Sequence, residues 1–413
     1  MRIAKSRLYG EVTLSGAKNS SLKLLAASIL TSESIELRNY PSGLADVEIH
    51  AGMLNVLGKS TETVGDTIKI SEDAAGLRDT LEWPGRSIRN TLLILGALTA
   101  RLGRARVPLP GGCKLGERKY DLHVDLLEKM GARIWEEGDD LCAESNGRLR
   151  GTEIILPLRS TGATENAILC ASLAEGSTTV WNPHIRPEVM DLIDLLRKMG
   201  AKIWVHGQKC IQIEGVESLG GTTHMVIPDN MEALTWAIGS VITGGEVEIH
   251  NFPRAHLEIP LVYLRESGMR SYVGENSLIV RGGEPYPIEI STGPYPGINS
   301  DMQPLFAVYG AMSRGESKII DLRFPGRYAY AAELAKMGMN YSVEGDLLAI
   351  HGGTPLKGAV VRAIDLRAGI ALLLAGLTAE DETHIEDAWQ ITRGYEHIIE
   401  KLKGLGARAY SND

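Results

Sequence analysis

A short phrase that ends in glycine recurs six times along the chain. The copies read "MLNVLGK", "LLEKMGA", "LLRKMGA", "YLRESGM", "ELAKMGM" and "KLKGLGA". Each glycine follows an amphipathic helical pattern, which is the place where a helix-ending glycine is expected. Successive glycines lie about 70 residues apart, a spacing that indicates a repeat architecture. They are Gly58, Gly131, Gly200, Gly268, Gly338 and Gly406.

Each copy predicts the same order of elements: helix, strand, helix, strand, strand. The stretch "GAKNSSLKLLAASIL" has the helical apolar spacing, "SIELRNY" is strand-like, and "RIWEEGDDLCAE" reads as a pair of short strands. A solenoid and a string of small separate domains are two alternatives. Units of this length with two helices and several strands are atypical of solenoids, so the sequence favours an α/β fold of closed assemblies with three units each.

The first helix of each copy opens with a polar or charged cluster. The six clusters read "GAKN", "SIRNT", "STGATEN", "PDNME", "SDMQ" and "DLRAG". Helix N-termini attract anions through free N–H groups and the macrodipole, and added lysine and arginine strengthen the effect. A helix cap or a solvated charge remains an equal alternative for any one of these residues. The candidates are Lys18, Asn19, Arg89, Ser160, Asp229, Asp301, Asp365 and Arg367.

One turn is longer than its counterparts and contains a cysteine. The span from Pro110 to Gly131 exceeds the span from Pro41 to Gly58 by several residues, and it holds "PGGCKLGERKYDLH". Positive charge near Cys113 favours its thiolate, so this thiol could act as a nucleophile or as a general acid. A bystander role stays open, as does a hydrogen bond of His123 within its own helix.

Composition excludes several function classes. The net charge of -9 argues against a nucleic-acid-binding protein. The chain lacks a long apolar run and a signal-peptide pattern at its start, so we expect a cytoplasmic, soluble protein without a membrane partner. Phosphate-loop and HExxH motifs are missing, and Cys142, Cys170 and Cys210 lack CxxC spacing. We therefore expect no cofactor, no metal and no disulfide, with these three cysteines buried as small hydrophobes.

Six stretches resemble the UDP-N-acetylglucosamine 1-carboxyvinyltransferase family of enolpyruvyl transferases. They are "LSGAKNSSLKLLAASIL", "PGGCKLGERKYDLH", "TGATENAILCASLAEG", "SDMQPLF", "IDLRAGIALLLAG" and "TRGYEHIIEKLKGLGA", in order over the whole chain. The related 5-enolpyruvylshikimate-3-phosphate synthases have a GSKS-type opening and no cysteine loop. The pairing of "GAKN" with "PGGC" therefore points away from them.

The resemblance implies an inside-out α/β barrel of two domains. Domain I would comprise residues 1–17, as a first strand, plus 228–413 with repeats four to six. Domain II would comprise residues 18–227 with repeats one to three. The family is usually monomeric, so we expect a monomer.

The resemblance also implies a reaction and roles for single residues. The family transfers the enolpyruvyl group of phosphoenolpyruvate to the 3′-hydroxyl of UDP-N-acetylglucosamine in peptidoglycan synthesis, and it is the target of fosfomycin. Cys113 would be the acid and Asp301 the base, while Lys18, Arg118 and Arg393 would hold phosphoenolpyruvate. The remaining implied substrate-binding residues are Asn19, Arg89, Asp121, Leu122, Ser160, Gly162, Arg327, Asp365 and Arg367.

This chain departs from the family pattern near the acceptor. The departures are Lys119, Tyr120, Arg186 and Pro325. Neutral drift explains them most simply, and a relative that acts on another uridine nucleotide in secondary metabolism is the alternative. An inactive regulatory homologue is a third reading. The presence of Lys18, Cys113, Asp301, Arg367 and Arg393 argues against that reading.

Overall fold

The computed structural model describes residues 1–110 and 120–411. Within them the chain forms a mixed α/β fold of helices and small sheets. The chain divides into two compact units. We call Met1–Ser15 together with Pro228–Asp413 the discontinuous unit, and Gly16–Ile227 the continuous unit.

The helices alternate between buried and amphipathic ones. In chain order they are α1 (Lys18–Ala27), α2 (Ala45–Val56), α3 (Thr91–Leu102), α4 (Asp121–Lys129), α5 (Thr161–Ser172), α6 (Pro187–Lys198), α7 (Asn230–Ile242), α8 (Glu258–Glu266), α9 (Gln303–Met312), α10 (Ala329–Lys336), α11 (Leu366–Thr378), α12 (Trp389–Thr392) and α13 (Ile398–Gly404). Among the helices of the described residues, none has both the length and the apolar character needed to cross a bilayer.

The strands are short. In chain order they are β1 (Arg2–Ala4), β2 (Tyr9–Thr13), β3 (Ile35–Arg38), β4 (Lys59–Val64), β5 (Thr67–Glu72), β6 (Arg104–Pro108), β7 (Ala132–Glu137), β8 (Asp140–Ser145), β9 (Glu153–Ile155), β10 (Ser177–Trp181), β11 (Lys202–His206), β12 (Cys210–Glu214), β13 (Thr222–Met225), β14 (Glu246–His250), β15 (Met269–Val273), β16 (Ser277–Gly283), β17 (Glu289–Ser291), β18 (Glu316–Ile320), β19 (Asn340–Glu344), β20 (Leu347–His351), β21 (Val360–Arg362), β22 (Thr383–Glu386) and β23 (Arg408–Tyr410).

The described strands form six sheets, and the four-stranded ones share one strand order. In each, an outer strand lies parallel to its neighbour, and the other pairings are antiparallel. The continuous unit has β13-β3-β5-β4 and β9-β10-β12-β11, and the discontinuous unit has β2-β14-β16-β15, β17-β18-β20-β19 and β21-β22-β1-β23. The sheet β6-β8-β7 has three strands, and Thr80 forms a parallel bridge to Arg106 beside it.

The six glycines that end the repeated phrases all have a left-handed backbone conformation. Their φ angles lie between 79° and 105°. Glycine adopts this region without the steric cost that a Cβ atom would bring. A helix therefore ends, and the next strand begins, at the same point of each copy.

The first helix of each copy is buried on nearly all sides. Every residue of α7 and α11 is buried, as are nine of the ten residues of α9. Helices that are apolar all round belong in a core. In the discontinuous unit these three helices contact one another, and in the continuous unit α3 contacts both α1 and α5. Each unit thereby has its own hydrophobic core.

The predicted order of elements omits one strand. The structure has a further strand ahead of the first helix, with β9 before α5, β17 before α9 and β21 before α11. These strands have three residues each, which is too short for a period-two pattern to appear in the sequence. Within residues 1–17, where a first strand was predicted, the structure has two strands, β1 and β2, which belong to separate sheets.

Candidate active site

The predicted site residues fall into three groups. Cys113, Arg118 and the departure Lys119 lie outside the described residues. The continuous unit holds seven candidates and the discontinuous unit six. The seven are Lys18, Asn19, Arg89, Asp121, Leu122, Ser160 and Gly162, and the six are Asp229, Asp301, Arg327, Asp365, Arg367 and Arg393. Asp229 is the N-cap of α7, as its Oδ1 accepts from the backbone N–H groups of Met231 and Glu232.

Asp301 pairs with two arginines in the discontinuous unit. Its Oδ1 lies 2.9 Å from a terminal nitrogen of Arg327, and its Oδ2 lies 3.2 Å from Nε of Arg367. The Arg327 and Arg367 side chains are 12% and 8% exposed, so solvent screens these ion pairs only weakly. The sequence predicted all three residues, and the structure brings them together.

The charge of these arginines is stabilised locally. Burial acts to lower the pKa of each guanidinium, but nearby acidic groups, Asp301 foremost, together outweigh it and the pKa of both is raised. Buried charges of this kind persist when they are paired and hydrogen-bonded. The cluster can therefore hold a fixed carboxylate beside two permanent cations.

Three elements supply this cluster. Asp301 lies in a turn two residues before α9, where its backbone N–H donates to Oδ1 of Asn299 at 3.1 Å. Arg327 follows the loop after β18, and Arg367 is the second residue of α11. Asp301 was predicted at the opening of a helix, and the structure places it outside α9.

Asp365 is the N-cap of α11. Its Oδ1 accepts hydrogen bonds from the backbone N–H groups of Arg367 and Ala368, both at 2.8 Å. Such a cap satisfies amides that the first helical turn leaves without partners. The helix-cap alternative thus holds for Asp365, whose carboxylate also raises the pKa of Arg327.

Arg393 is buried at the end of α12. Its side chain donates to Oε1 of Gln390 at 3.0 Å, and the residue is 6% exposed. Two residues later, Tyr395 is buried with its hydroxyl 2.8 Å from that of Thr235. Burial raises the pKa of Tyr395, so this phenol stays neutral.

Lys18 opens α1 in the continuous unit. It is 8% exposed, and its ammonium lies 3.5 Å from Oδ2 of Asp46 on α2. Asn19 follows and is partly exposed. Ala17, the residue before α1, provides no side-chain cap. Lys18 is thus a nearly buried cation at the start of α1, a helix whose N-terminal N–H groups receive no hydrogen bond from a capping side chain.

A second polar cluster lies deeper in this unit and was not predicted. Lys23 on α1 contacts Oδ1 of Asn90 at 3.3 Å and a carboxylate oxygen of Glu165 at 3.6 Å. Asn90 also contacts His50. Burial raises the pKa of Glu165 to about 7 and lowers that of His50 to about 3. Glu165 belongs to the polar stretch "STGATEN" at the start of α5, but a single sequence does not show that its side chain meets Lys23 of α1.

His123 joins α4 to α5, so the alternative of a side-chain bond within its own helix does not hold for its Nδ1. Its Nδ1 lies 3.1 Å from Nδ2 of Asn166, and burial lowers its pKa to about 3. A Cβ atom on Gly162 would lie 3.2 Å from Nε2 of His123, so glycine permits this close approach. Ser160 caps α5 weakly, accepting from the N–H of Ala163 at 3.4 Å.

Of the remaining candidates here, Asp121 is the exposed first residue of α4, and Leu122 packs against the core. Arg89 lies two residues before α3, and its charge helps to lower the pKa of His123. Cys142 and Cys170 are buried free cysteines, as predicted, and so is Cys210.

The departures from the family pattern have partners of their own. The Tyr120 hydroxyl donates to the carboxylate of Glu136, which raises the pKa of the phenol to about 12. Arg186 forms a two-pronged pair with Glu188, with distances of 2.6 and 2.7 Å. Pro325 lies in the loop between β18 and α10 that carries Arg327.

Among the described residues, two glutamates and one histidine lie close enough together to hold a metal ion, and none of the three is a predicted site residue. They are Glu11, Glu248 and His250 on the paired strands β2 and β14, with ligand atoms within 4.8 Å of one another. Glu11 is 71% exposed, and His250 contacts it directly at 3.1 Å. These side chains serve each other as partners.

The family described as "EPSP synthase (3-phosphoshikimate 1-carboxyvinyltransferase)" matches residues 3–402. A UDP-N-acetylglucosamine 1-carboxyvinyltransferase of Actinobacillus succinogenes is 41% identical and covers 98% of this chain and 97% of its own. UDP-N-acetylglucosamine 1-carboxyvinyltransferase 2 of Carboxydothermus hydrogenoformans gives the same figures.

Solved structures have the same fold. The enolpyruvyl transferase NikO from Streptomyces tendae superposes with a TM-score of 0.89 at 26% identity, covering 98% of this chain and 97% of the other. An EPSP synthase from Acinetobacter baumannii gives 0.75 at 18% identity, with the same coverage. The chain therefore belongs to the enolpyruvyl transferase family, among the UDP-N-acetylglucosamine 1-carboxyvinyltransferases.

Proposed function

We propose that this chain transfers the enolpyruvyl group of phosphoenolpyruvate to the 3′-hydroxyl of UDP-N-acetylglucosamine and releases phosphate. The observation that carries the proposal is 41% identity over nearly the full length of relatives that bear this enzyme's name. Its product would serve peptidoglycan synthesis.

The proposed chemistry is an addition followed by an elimination. In the addition, the Cys113 thiol gives a proton to the methylene carbon of phosphoenolpyruvate while the sugar oxygen bonds to its C2. Asp301 takes the proton of the sugar hydroxyl. In the elimination, the Cys113 thiolate takes a proton back from the new methyl group while the bond from C2 to the phosphate oxygen breaks, which restores the double bond. Asp301 returns its proton to the departing phosphate, so both residues regain their starting states. General acid and base groups placed in this way commonly contribute 10²- to 10⁴-fold, as an order of magnitude.

The cations would hold the anionic groups of phosphoenolpyruvate. Lys18, Arg118 and Arg393 are the proposed ligands, with Arg89 and Arg367 adding positive charge. The described geometry that supports this is the burial of Lys18, Arg367 and Arg393, each at most 8% exposed. Guanidinium groups suit phosphate and carboxylate because they pair with two oxygens at once.

The remaining contacts would bind the sugar nucleotide. Asn19, Ser160 and Gly162 are proposed for this role, together with Asp121 and Leu122 at the start of α4. Arg327 and Asp365 complete the proposed site. Arg327 would act through its pair with Asp301, and Asp365 through the cap that fixes α11.

We also propose that the two units are the family's domains I and II and that each is an inside-out barrel of three repeats. Support comes from the shared strand order of the sheets, the six left-handed glycines and the buried helices at the centre of each unit. A monomer is proposed on the resemblance alone, and the cytoplasm remains the location that the sequence led us to expect. Light scattering coupled to size exclusion measures the oligomeric state.

Phosphate release tests the proposed reaction. The protein is incubated with phosphoenolpyruvate and either UDP-N-acetylglucosamine, UDP or UMP, and products are identified by mass spectrometry. Turnover is expected with UDP-N-acetylglucosamine. Turnover with UMP alone would assign a different acceptor, and no turnover with any of them would refute an active transferase.

The thiol role has its own test. Cys113→Ser should lose most turnover, and fosfomycin should add covalently to the wild-type protein but not to Cys113→Ser. Cys170→Ser is a matched control, because Cys170 is fully buried in α5. An intact mass without an adduct, after prolonged incubation with fosfomycin in the presence of UDP-N-acetylglucosamine, would contradict the assignment.

A further inference from the structure

Asp321 is a fully buried carboxylate that the proposed reaction does not use. It directly follows β18, and Thr292 directly follows β17, the parallel neighbour of β18. Ser291 pairs with Ile320, so the next residue of each strand emerges at the same edge of the sheet. Asp321 is 0% exposed and Thr292 is 1% exposed.

Hydrogen bonds compensate the burial of Asp321. Its Oδ1 accepts from the Thr292 hydroxyl at 2.7 Å and from the backbone N–H groups of Arg323 and Phe324 at 2.9 Å. Its Oδ2 accepts from the Ser300 hydroxyl at 2.5 Å and, more weakly, from Nε2 of Gln303 at 3.4 Å. Burying a carboxylate costs free energy unless hydrogen-bond donors surround it. The five donors supply that stabilisation, so the side chain can stay fully buried.

Four of these donors belong to the two loops that carry the Asp301–Arg327 pair, and the fifth, Gln303, is the first residue of α9. Ser300 directly precedes Asp301, and its hydroxyl oxygen accepts from Arg327 at 3.1 Å. Gln303 donates to the backbone oxygen of Arg327 at 2.8 Å. Arg323 and Phe324 begin the loop that leads to Arg327. One carboxylate thus fixes the turn before α9 and the loop after β18 at the same time.

We propose that Asp321 is a positioning residue for the Asp301–Arg327 ion pair and acts through Ser300. The expected effect on turnover rests on the proposed function. The anchoring of the two loops by Asp321 does not depend on which reaction the protein catalyses. Because a carboxylate accepts at both oxygens, it can serve both loops, whereas an amide would present a donor to one of them.

Ser300→Ala tests the link with little change of volume. Its matched control is Ser313→Ala at the other end of α9. Ser313, which directly follows α9, is also fully buried, but its hydroxyl donates to the backbone oxygen of Gly310 at 2.7 Å and lies 3.4 Å from that of Ser317. It makes no contact with the Asp321 loops in these hydrogen bonds. Both variants are assayed well below their melting temperatures, so the folded fraction does not differ.

We expect Ser300→Ala to lower kcat roughly tenfold or more, with KM for both substrates within about twofold, since one charge-linked hydrogen bond is lost. Ser313→Ala should keep wild-type kcat. Asp321→Asn should lower kcat at least as much as Ser300→Ala. Equal kcat in the two serine variants would overturn the proposal, and that comparison remains decisive if Asp321→Asn does not fold.

Amide hydrogen exchange separates this proposal from the proposed function. Peptides covering residues 321–328 should exchange faster in Ser300→Ala than in Ser313→Ala or the wild type. If the wild type has no transferase activity, the proposed function fails while faster exchange still supports the anchoring. Unchanged exchange in Ser300→Ala would refute the anchoring whatever the activity.

Discussion

Asp301 is the residue on which the proposed chemistry can be tested most directly. Its carboxylate pairs with both Arg327 and Arg367, so its orientation is fixed. Asp301→Asn keeps the shape of the side chain but cannot take the sugar proton. We expect substrate dissociation constants within a few-fold of wild type and a loss of turnover of about 10² or more, measured by calorimetry and phosphate release.

Asp381→Asn is the matched control for this change, because Asp381 is an exposed carboxylate in the same unit. It should bind and turn over substrates like the wild type. If Asp301→Asn loses binding together with turnover, Asp301 is chiefly a binding residue and the base must be sought elsewhere.

Glu165 predicts a pH dependence of stability. Burial raises its pKa from 4.5 to about 7 in the folded protein, so the folded state binds the proton more tightly than the unfolded state. The stability from this group is complete below about pH 4.5 and is lost as the pH rises to about 7. The loss corresponds to roughly 3 kcal/mol. Glu165→Gln should flatten the urea-unfolding free energy over this window.

Glu175→Gln is the control, because Glu175 is an exposed carboxylate three residues after α5. It should leave the pH profile of the wild type unchanged. A Glu165→Gln profile as steep as the wild type between pH 5 and 7 would show that other groups cause the dependence.

At this scale the sequence predicted cations and carboxylates near helix starts, and Asp301, Arg327 and Arg367 do form one cluster. It did not predict Glu165 or Asp321. Their importance comes from partners on other elements, and a single sequence does not show which elements meet. Tyr120 and Arg186 were recognised as departures, but their partners Glu136 and Glu188 were not.

Among the elements, α3 and α5 pack unusually closely at Gly96. A Cβ atom there would lie 1.9 Å from Oδ1 of Asn166 and 3.0 Å from Sγ of Cys170. Asn166 is also held by His123, so it cannot move away freely. Gly96→Ala should destabilise the protein by about 1 to 3 kcal/mol or more, through overpacking, as a lower melting temperature will show.

Gly404→Ala tests the same substitution without the contact. Gly404 lies in α13, and nothing approaches its added Cβ within 4 Å. Alanine in a helix is favoured over glycine by about 0.5 to 1 kcal/mol, so this variant should melt slightly higher. Equal effects of the two substitutions would refute the packing explanation for Gly96.

The elements themselves were predictable to different degrees. The six helix ends followed from glycine chemistry, and all six glycines have the expected left-handed conformation. The added strands β9, β17 and β21 were missed, because they are held by pairing with a neighbour and not by their own pattern.

At the scale of the whole molecule, the continuous unit should fold by itself. Gly16–Ile227 has its own core and its own three sheets. We expect a fragment of residues 16–227 to show a cooperative thermal transition by circular dichroism. It should have no turnover, because Asp301, Arg327, Arg367 and Arg393 belong to the other unit.

A fragment that ends at residue 219 is the control. It lacks β13, which pairs with β3 at the edge of the first sheet. The backbone groups of β3 would lose their partners, so this fragment should melt at a lower temperature or without cooperativity. If the two fragments melt alike, β13 does not stabilise the unit.

The pairing of β3 with β13 also has a consequence for protein synthesis. The ribosome completes β3 at residue 38, but its neighbour does not begin until residue 222. At translation rates of about 5 to 20 residues per second, the edge of that nascent sheet stays open for roughly ten to forty seconds. The emerging polypeptide is therefore exposed to misassembly with other nascent chains during that interval, and chaperone demand should peak before β13 leaves the exit tunnel.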